Sequence, residues 1–421
     1  MGREQVGLDS YNEDRGKKFC RGCLSNRLFS ALDLGELPIA NELLSNPKIP
    51  VEKFSLHLRI CEECGLGQVA DVVTPERLFR DYRYLSSMSS TFLEHAREYA
   101  MKRIQEGLFE PGDWVLEIAC NDGYLLKNFV EFKIKVLGIE PAENVAVISE
   151  NLGIETVSEF FSSELAKKIL KDKGFPKLIV ANNVLAHVPN PMDFIKGLSI
   201  LCGSNTLISI ENPSLSNILI GMQFDTVYHE HYSYLTASSV SNLSKKVELQ
   251  LFKVEQINIH GGSNRYWLRK NLPERVVENS AIELINLEKS QGLFEVAAWI
   301  DFSANINRLI ENLRAWLIES DGKNQRIFGY GAAAKASTLI NAVGESAKNI
   351  IAIADLSEEK QDRYMPSRGI PIISPDELFT SNPTDIIIFP WNIKSEITSY
   401  LRKNLKTLVN IWCAIPELEK L

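Results

Sequence analysis

Apolar residues recur along this chain with two alternating periods, and the elements they predict follow in order. Trp114-Val115-Leu116-Glu117-Ile118 is a short, nearly continuous apolar run of the kind a buried parallel strand needs. The small-residue turn Ala119-Cys120-Asn121-Asp122-Gly123 ends it, and Tyr124-Leu125-Leu126 opens a helix. Val136-Leu137-Gly138-Ile139 reads as the next strand and stops at Glu140-Pro141. Two more follow, Lys177 to Ala181 and Thr206 to Pro213, while a helical period from about Ser90 to Glu106 precedes them and breaks across Gly107 to Gly112. From Val277 to Ile318 the apolar spacing is helical, which predicts long helices joining two lobes. Strand, turn and helix then recur at Arg326 to Lys335, with further strands at Asn349 to Ala354 and Asp385 to Phe389. Strands alternating with helices predict α/β architecture with two nucleotide-type domains.

Length and composition narrow the classes. A chain of 421 residues has room for two to four domains, and 45% hydrophobic with 24% charged residues is ordinary for a globular protein. A net charge of -8 argues against a nucleic-acid partner, which selects for a basic footprint. No apolar run reaches the length of a membrane span, and the polar start has no apolar core of a signal peptide, so we expect a cytoplasmic protein without membrane contact. Residues 1–18 read as a disordered tail.

The candidate chemistry is spread over several stretches. Four of seven cysteines fall in two Cys-x-x-Cys pairs, Cys20 with Cys23 and Cys61 with Cys64. Two matched pairs suit a tetrahedral structural zinc better than a redox dithiol, and four thiolates leave no open position for catalysis. The strand, turn, helix, strand, acid pattern ending at Glu140 is a Rossmann layout, in which the acid bonds ribose hydroxyls. Its turn is not Gly-x-Gly-x-x-Gly, and an Asn-Asp-Gly turn suits an adenosine ligand without a pyrophosphate, such as S-adenosylmethionine. His187 follows the strand end at Asn182-Asn183, where doubly wound sheets place ligands. Gly329, Gly331 and the helix after them offer amides to an anion, and Lys335 adds a point charge. In Phe224 to Leu235, Tyr228, His229, Glu230 and His231 gather proton-transfer groups. If this stretch is extended, His229 and His231 share one face; if helical, Tyr228 and His231 do.

With those residues in hand, the sequence resembles the S-adenosylmethionine-dependent sugar C-methyltransferases of deoxysugar biosynthesis, the dTDP-sugar 3-C-methyltransferases of the D-tetronitrose type among them. The resemblance runs from Cys20 onward. It rests on the cysteine pairs, Leu116 to Leu126, His187-Val188-Pro189-Asn190, Tyr228-His229-Glu230-His231, His260-Gly261-Gly262-Ser263, Gly329 to Lys335 and Pro390-Trp391-Asn392. Cys120 stands where a serine is common in that family, and Ala333 where a proline is.

The resemblance implies an N-terminal zinc-binding module (19–75), a central Rossmann-like methyltransferase domain (76–275) and a second Rossmann-like domain (276–421) for the nucleotide sugar. It implies methylation of carbon 3 of a nucleoside diphosphate 4-keto deoxysugar. His231 is then the base, Tyr228 its partner at the enolate oxygen, Glu230 an orienting or sugar-binding acid, and His187 a neighbour in the cleft. The cofactor residues are Tyr84, Glu117, Ala119, Asn121, Gly123, Glu140 and Asn182; the substrate residues are Asn183, Gly331, Ala333, Lys335 and Asn392. A monomer or weak oligomer is expected. Two Rossmann-like lobes would also suit a nicotinamide-dependent oxidoreductase of nucleotide sugars, and a zinc ribbon beside a methyltransferase an RNA-modifying enzyme. An O- or N-methyltransferase on a related sugar is the nearer alternative. The nucleotide, the sugar's stereochemistry and the pathway product stay open at this level.

Overall fold

The structure, a computed structural model, describes residues 17–70, 73–79, 85–259 and 261–421. Most of the expected tail, Tyr84 and His260 lie outside these. The chain is α/β with three sheets. The central sheet has seven strands in the order 249–257, 263–270, 207–213, 178–182, 114–118, 135–139, 156–157. The five from Leu207–Pro213 onward in that order pair in parallel, and a hairpin adds an antiparallel edge. Strand order reverses between Trp114–Ile118 and Leu178–Asn182, so the crossovers diverge there and open a crevice at the carboxyl ends. The C-terminal sheet repeats the arrangement around Ile327–Tyr330, with Ile350–Ala354 on one side and Asp385–Ile388 on the other, all parallel.

The third sheet is less expected. Leu28–Leu37, Phe54–Cys61 and Gly67–Gln68 pair antiparallel, and the fourth strand is Ser233–Tyr234, just after the Tyr-His-Glu-His stretch far along the chain. The cysteine module is therefore completed by the segment that carries the candidate base.

The helical period after Val277 yields Asn279–Ser290 and Val296–Gly322. Trp299, Phe302, Ile306, Leu309, Leu313 and Leu317 recur every three or four residues on the second helix and are buried. They do more than join lobes, since their core takes in Leu32 and Leu58 of the N-terminal sheet, Ile327 of the C-terminal sheet and Leu339 of the helix Ala334–Val343. Each such side chain contributes roughly 1.5–3 kcal/mol by burial, which fixes the outer lobes against one another.

Candidate active site

The cofactor turn is built under strain. Ala119 and Asn121 hold φ values of 55° and 50°, Gly123 79°, and Asn183 at the neighbouring strand end 53°. Non-glycine residues persist there only where the surroundings over-determine them, as at ligand sites. A side chain at Gly138 would meet the Cys120 sulfur at 2.5 Å, so the turn sits directly on the next strand. Glu140 ends that strand, accepting from the Asn121 amide and the Ala142 amide at 3.0 Å each.

The acceptors here outnumber the donors. Both carboxylate oxygens of Glu117, Oδ1 of Asp122 and Oδ1 of Asn182 are buried with no partner among the described residues. Burial, then Asp122 and Glu140, pushes the Glu117 carboxyl well above its usual range. Buried acceptors are costly until a donor arrives. A ligand bearing a sulfonium, an ammonium and ribose hydroxyls would supply one, whereas a pyrophosphate would be repelled by the same carboxylates. The residues therefore fit S-adenosylmethionine. The segment after Tyr84 closes over the turn, with Ser86 N donating to Asn121 Oδ1 and Ser87 N to Asp122 Oδ2. We expect Glu140→Ala to weaken S-adenosylmethionine about tenfold, the loss of a charge-assisted hydrogen bond. Calorimetry checks this, and unchanged affinity would place the adenosine elsewhere.

Helix Ser90–Gln105 walls the cleft, and a row of charges anchors it that sequence reasoning missed. Asn182, Glu211, Arg265 and Glu255 lie in register across four strands. Arg265 bonds Glu211 at 2.6 Å, and the helix's His95 donates Nε2–H to Glu211 at 2.9 Å. Those partners hold the fully buried Glu211 carboxyl below its usual range against the opposing effect of burial. The signal was a lone glutamate in the apolar run Leu207-Ile208-Ser209-Ile210-Glu211, because a buried carboxylate requires partners.

The Tyr-His-Glu-His stretch is neither strand nor regular helix. Residues 224–226 form one 3-10 turn, and the His231 amide donates to the Tyr228 carbonyl at 3.0 Å. That i to i+3 closure brings the two rings to 4.1 Å between centroids. His231 Nδ1 meets the Thr226 carbonyl at 3.0 Å, and a carbonyl only accepts, so Nδ1 carries the hydrogen. The lone pair is then on Nε2, where the Tyr228 hydroxyl donates at 2.9 Å. His187 donates Nδ1–H to the Glu230 carbonyl at 2.7 Å and lies 4.7 Å from the His231 ring. Burial pushes the His187 imidazole down to about 4, so it stays neutral near neutral pH.

The other two members face the cysteine module. His229 Nε2 bonds the Phe54 carbonyl at 3.1 Å, and a Glu230 oxygen accepts from the Asn41 amide at 3.2 Å. Burial pushes the Glu230 carboxyl up to about 7. Glu230 thus orients an imidazole through its backbone carbonyl, and its carboxyl group is turned to Asn41.

A cleft of about 500 Å³ runs between the central and C-terminal sheets, lined by Phe92, Asn217, Gln223, Gly261, Trp391 and Asn392. Lys335 reaches its wall, with Nζ 4.1 Å from the Trp391 ring centroid and 3.0 Å from Asn392 Oδ1. Asp225 faces this cluster and was also missed, accepting from Trp391 Nε1 at 2.8 Å. Burial pushes the Asp225 carboxyl up to about 6, although Lys335 pulls it back. Gly331, at φ 89°, is needed for packing as well, since a Cβ there would overlap the Pro390 ring at 2.4 Å. Ala333 caps the helix Ala334–Val343 without a side-chain bond. Asp355 at the next strand end is satisfied by the chain itself, through the Ala332 amide at 2.7 Å, the Ser357 amide at 2.9 Å and Lys360 at 3.4 Å.

The cysteines converge. The sulfurs of Cys20, Cys23, Cys61 and Cys64 all lie within 4.8 Å of one another, with Cys20 to Cys64 at 3.5 Å and Cys23 to Cys61 at 3.4 Å. Tetrahedral zinc with bonds near 2.3 Å holds its sulfurs about 3.8 Å apart, so the set fits the ion with all positions filled.

Three family profiles match in order: a zinc binding domain at residues 20–79, a methyltransferase domain at 92–254, and the C-methyltransferase C-terminal domain at 258–416. The C-methyltransferase NovU of Streptomyces niveus is 28% identical over 402 residues, 94% of this chain and 95% of that protein. Among solved structures, an S-adenosylmethionine-dependent methyltransferase from Anabaena variabilis is 15% identical over 41% of this chain and 84% of its own, at a TM-score of 0.33. The plantazolicin methyltransferase BpumL, solved with S-adenosylhomocysteine, is 15% identical over 43% and 84%, at 0.34. No helix among the described residues is long and apolar enough to cross a membrane. With a closed four-cysteine zinc site, a cofactor turn suited to a sulfonium and these three domain matches in sequence, the chain is similar to the S-adenosylmethionine-dependent C-methyltransferases.

Proposed function

We propose that the chain methylates carbon 3 of a nucleoside diphosphate 4-keto deoxysugar. The observation that carries this reading is the Thr226–His231–Tyr228 array, an imidazole whose Nδ1–H is held by a backbone carbonyl while its Nε2 lies 2.9 Å from a phenol oxygen. A hydrogen on the carbon beside a ketone leaves only if a base meets it and the enolate oxygen finds a donor. His231 Nε2 is the base. The Tyr228 O–H, which donates to Nε2 here, would turn to the 4-keto oxygen and free the lone pair for the carbon-bound proton. A positioned base contributes on the order of 10²–10⁴ in rate and an oxyanion donor about 10²–10³. S-adenosylmethionine supplies the electrophilic methyl group. The acceptors around Glu117 hold and aim it, and alignment is the protein's remaining task. The zinc site, having no open position, stays outside the chemistry.

The nucleotide's diphosphate would lie at Lys335 and the amides of the helix it begins, with Asn183 and Asn392 nearer the sugar. A group that binds ground state and transition state alike changes KM alone. Lys335→Ala should therefore raise the KM for the sugar nucleotide about tenfold or more, by loss of a charged contact, with kcat nearly kept. Incubation with methyl-labelled S-adenosylmethionine and a panel of 4-keto nucleotide sugars tests the reading as a whole. Label on a carbon, with solvent deuterium entering at the same position, is the expected result; label on oxygen or nitrogen would overturn it.

A further inference from the structure

The zinc module and the base segment share backbone pairing, and one buried side chain crosses between them. Arg21 lies inside the first cysteine knuckle and is 2% exposed. Its guanidinium donates to the carbonyl of Tyr232, the residue after His231, and to the carbonyl of Val69, and its carbon lies 5.5 Å from the Tyr232 ring centroid. The Val69 amide donates to the same Tyr232 carbonyl at 3.2 Å. The knuckle is itself fixed to the adjoining strand, because Arg21 N donates to Gln68 Oε1 and Gln68 Nε2 to the Phe19 carbonyl, each at 3.0 Å. Gln68 in turn pairs with Ser233. The two residues after His231 are thus held from the knuckle side. Before it, the backbone runs through an open turn whose closures are His231 N to Tyr228 and His231 Nδ1 to Thr226.

We propose that Arg21 is a positioning residue for the reaction: from inside the zinc knuckle it fixes the Tyr232 carbonyl and with it the direction of the His231 imidazole. The zinc site on this account sets the aim of the base as well as holding its own module together. A buried guanidinium is costly without its acceptors, so a site that only needed to hold zinc would gain nothing from one there. Arginine suits the task because its planar fork reaches two carbonyls at once, which an ammonium on a flexible stem does not do with the same geometry. The inference rests on His231 being the base.

The test uses the full chain with zinc bound. Arg21→Gln should keep its zinc and its S-adenosylmethionine affinity while kcat falls about ten- to hundredfold, the scale of a small misplacement of a reacting group. Carbon-3 deuterium exchange should fall in parallel. Arg21→Lys should lose less. The ring-nitrogen signals of His231, assigned by their absence from His231→Asn, should show a single tautomer in the parent and a mixture in Arg21→Gln. Should Arg21→Gln lose zinc, Arg21→Lys decides by the same measurements. Parental turnover and an unchanged His231 tautomer in a zinc-loaded variant would overturn the proposal, and a fall in melting temperature alone would mark Arg21 as merely structural. If no 4-keto nucleotide sugar is a substrate even for the parent, the reading of the reaction fails, and the nitrogen signals still decide whether Arg21 positions His231.

Discussion

His231→Asn should lower kcat by about 10²–10⁴ and abolish deuterium exchange at carbon 3, while S-adenosylmethionine binds as before. The expectation follows from where the ring is tied. Its Nδ1 hydrogen is committed to the Thr226 carbonyl, so Nε2 is the nitrogen able to take a proton. An asparagine amide keeps the size and some hydrogen bonding but has no basic lone pair at neutral pH. Cofactor affinity stays because the cofactor turn's bonds run to Ser86, Ser87 and Glu140, away from His231. Exchange without cofactor turnover is the sharper measurement, since it reports proton removal before any methyl moves. Exchange at the parental rate would remove His231 from the role. His187 would then be the next candidate, since its Nδ1 is fixed by Glu230 and its ring is neutral, whereas His229 is bound to Phe54 in the cysteine module.

How much of this was legible depended on whether a feature was local. Glu140, the Ala119 to Gly123 turn and the strand ends are local, because period, turn residues and spacing sit within a few dozen residues of one another. The helix expected over Ser90 to Glu106 forms over Ser90–Gln105 for the same reason. The cysteine pairs were legible because each knuckle is a short motif and the two match. The Tyr228 to His231 geometry was open between two periods, and a turn held by Thr226 and Ser233–Tyr234 gave it an i to i+3 closure, which no period within the stretch could choose. Arg21, Asp225 and the His95–Glu211–Arg265 group went unread because their partners are distant in sequence: 211 residues separate Arg21 from Tyr232 and 166 separate Asp225 from Trp391. A buried charge in an apolar setting shows that it must have partners but does not say which. The glycines of the second turn were read as an anion site; Gly331 is also demanded by Pro390, a contact that sequence cannot reveal.

Cys61→Ser should remove zinc and, with it, both the N-terminal sheet and the activity. Cys61 ends the strand Phe54–Cys61, which pairs with Leu28–Leu37 on one side and Gly67–Gln68 on the other, and Gly67–Gln68 carries Ser233–Tyr234. A serine hydroxyl is a poor zinc ligand, and apparent zinc-binding free energies of roughly 10–16 kcal/mol in small four-ligand peptides show how much folding such a site can supply. That is comparable to the total stability of about 5–15 kcal/mol of a typical domain. The damage should not stay in the module. Thr236 donates to the Gly65 carbonyl at 3.1 Å and Asn242 to the Cys64 carbonyl at 3.3 Å, so the helix after the base segment hangs from the second knuckle. Metal analysis should fall from one zinc per chain to none in Cys20→Ser and in Cys61→Ser, with turnover reduced at least about a hundredfold as the base loses its alignment. S-adenosylmethionine affinity should fall less than turnover, because the turn's own strain and its bond to Glu140 lie on the far strands of the central sheet. Full zinc content in both serine variants would mean that these cysteines do not form the site, whatever the activity.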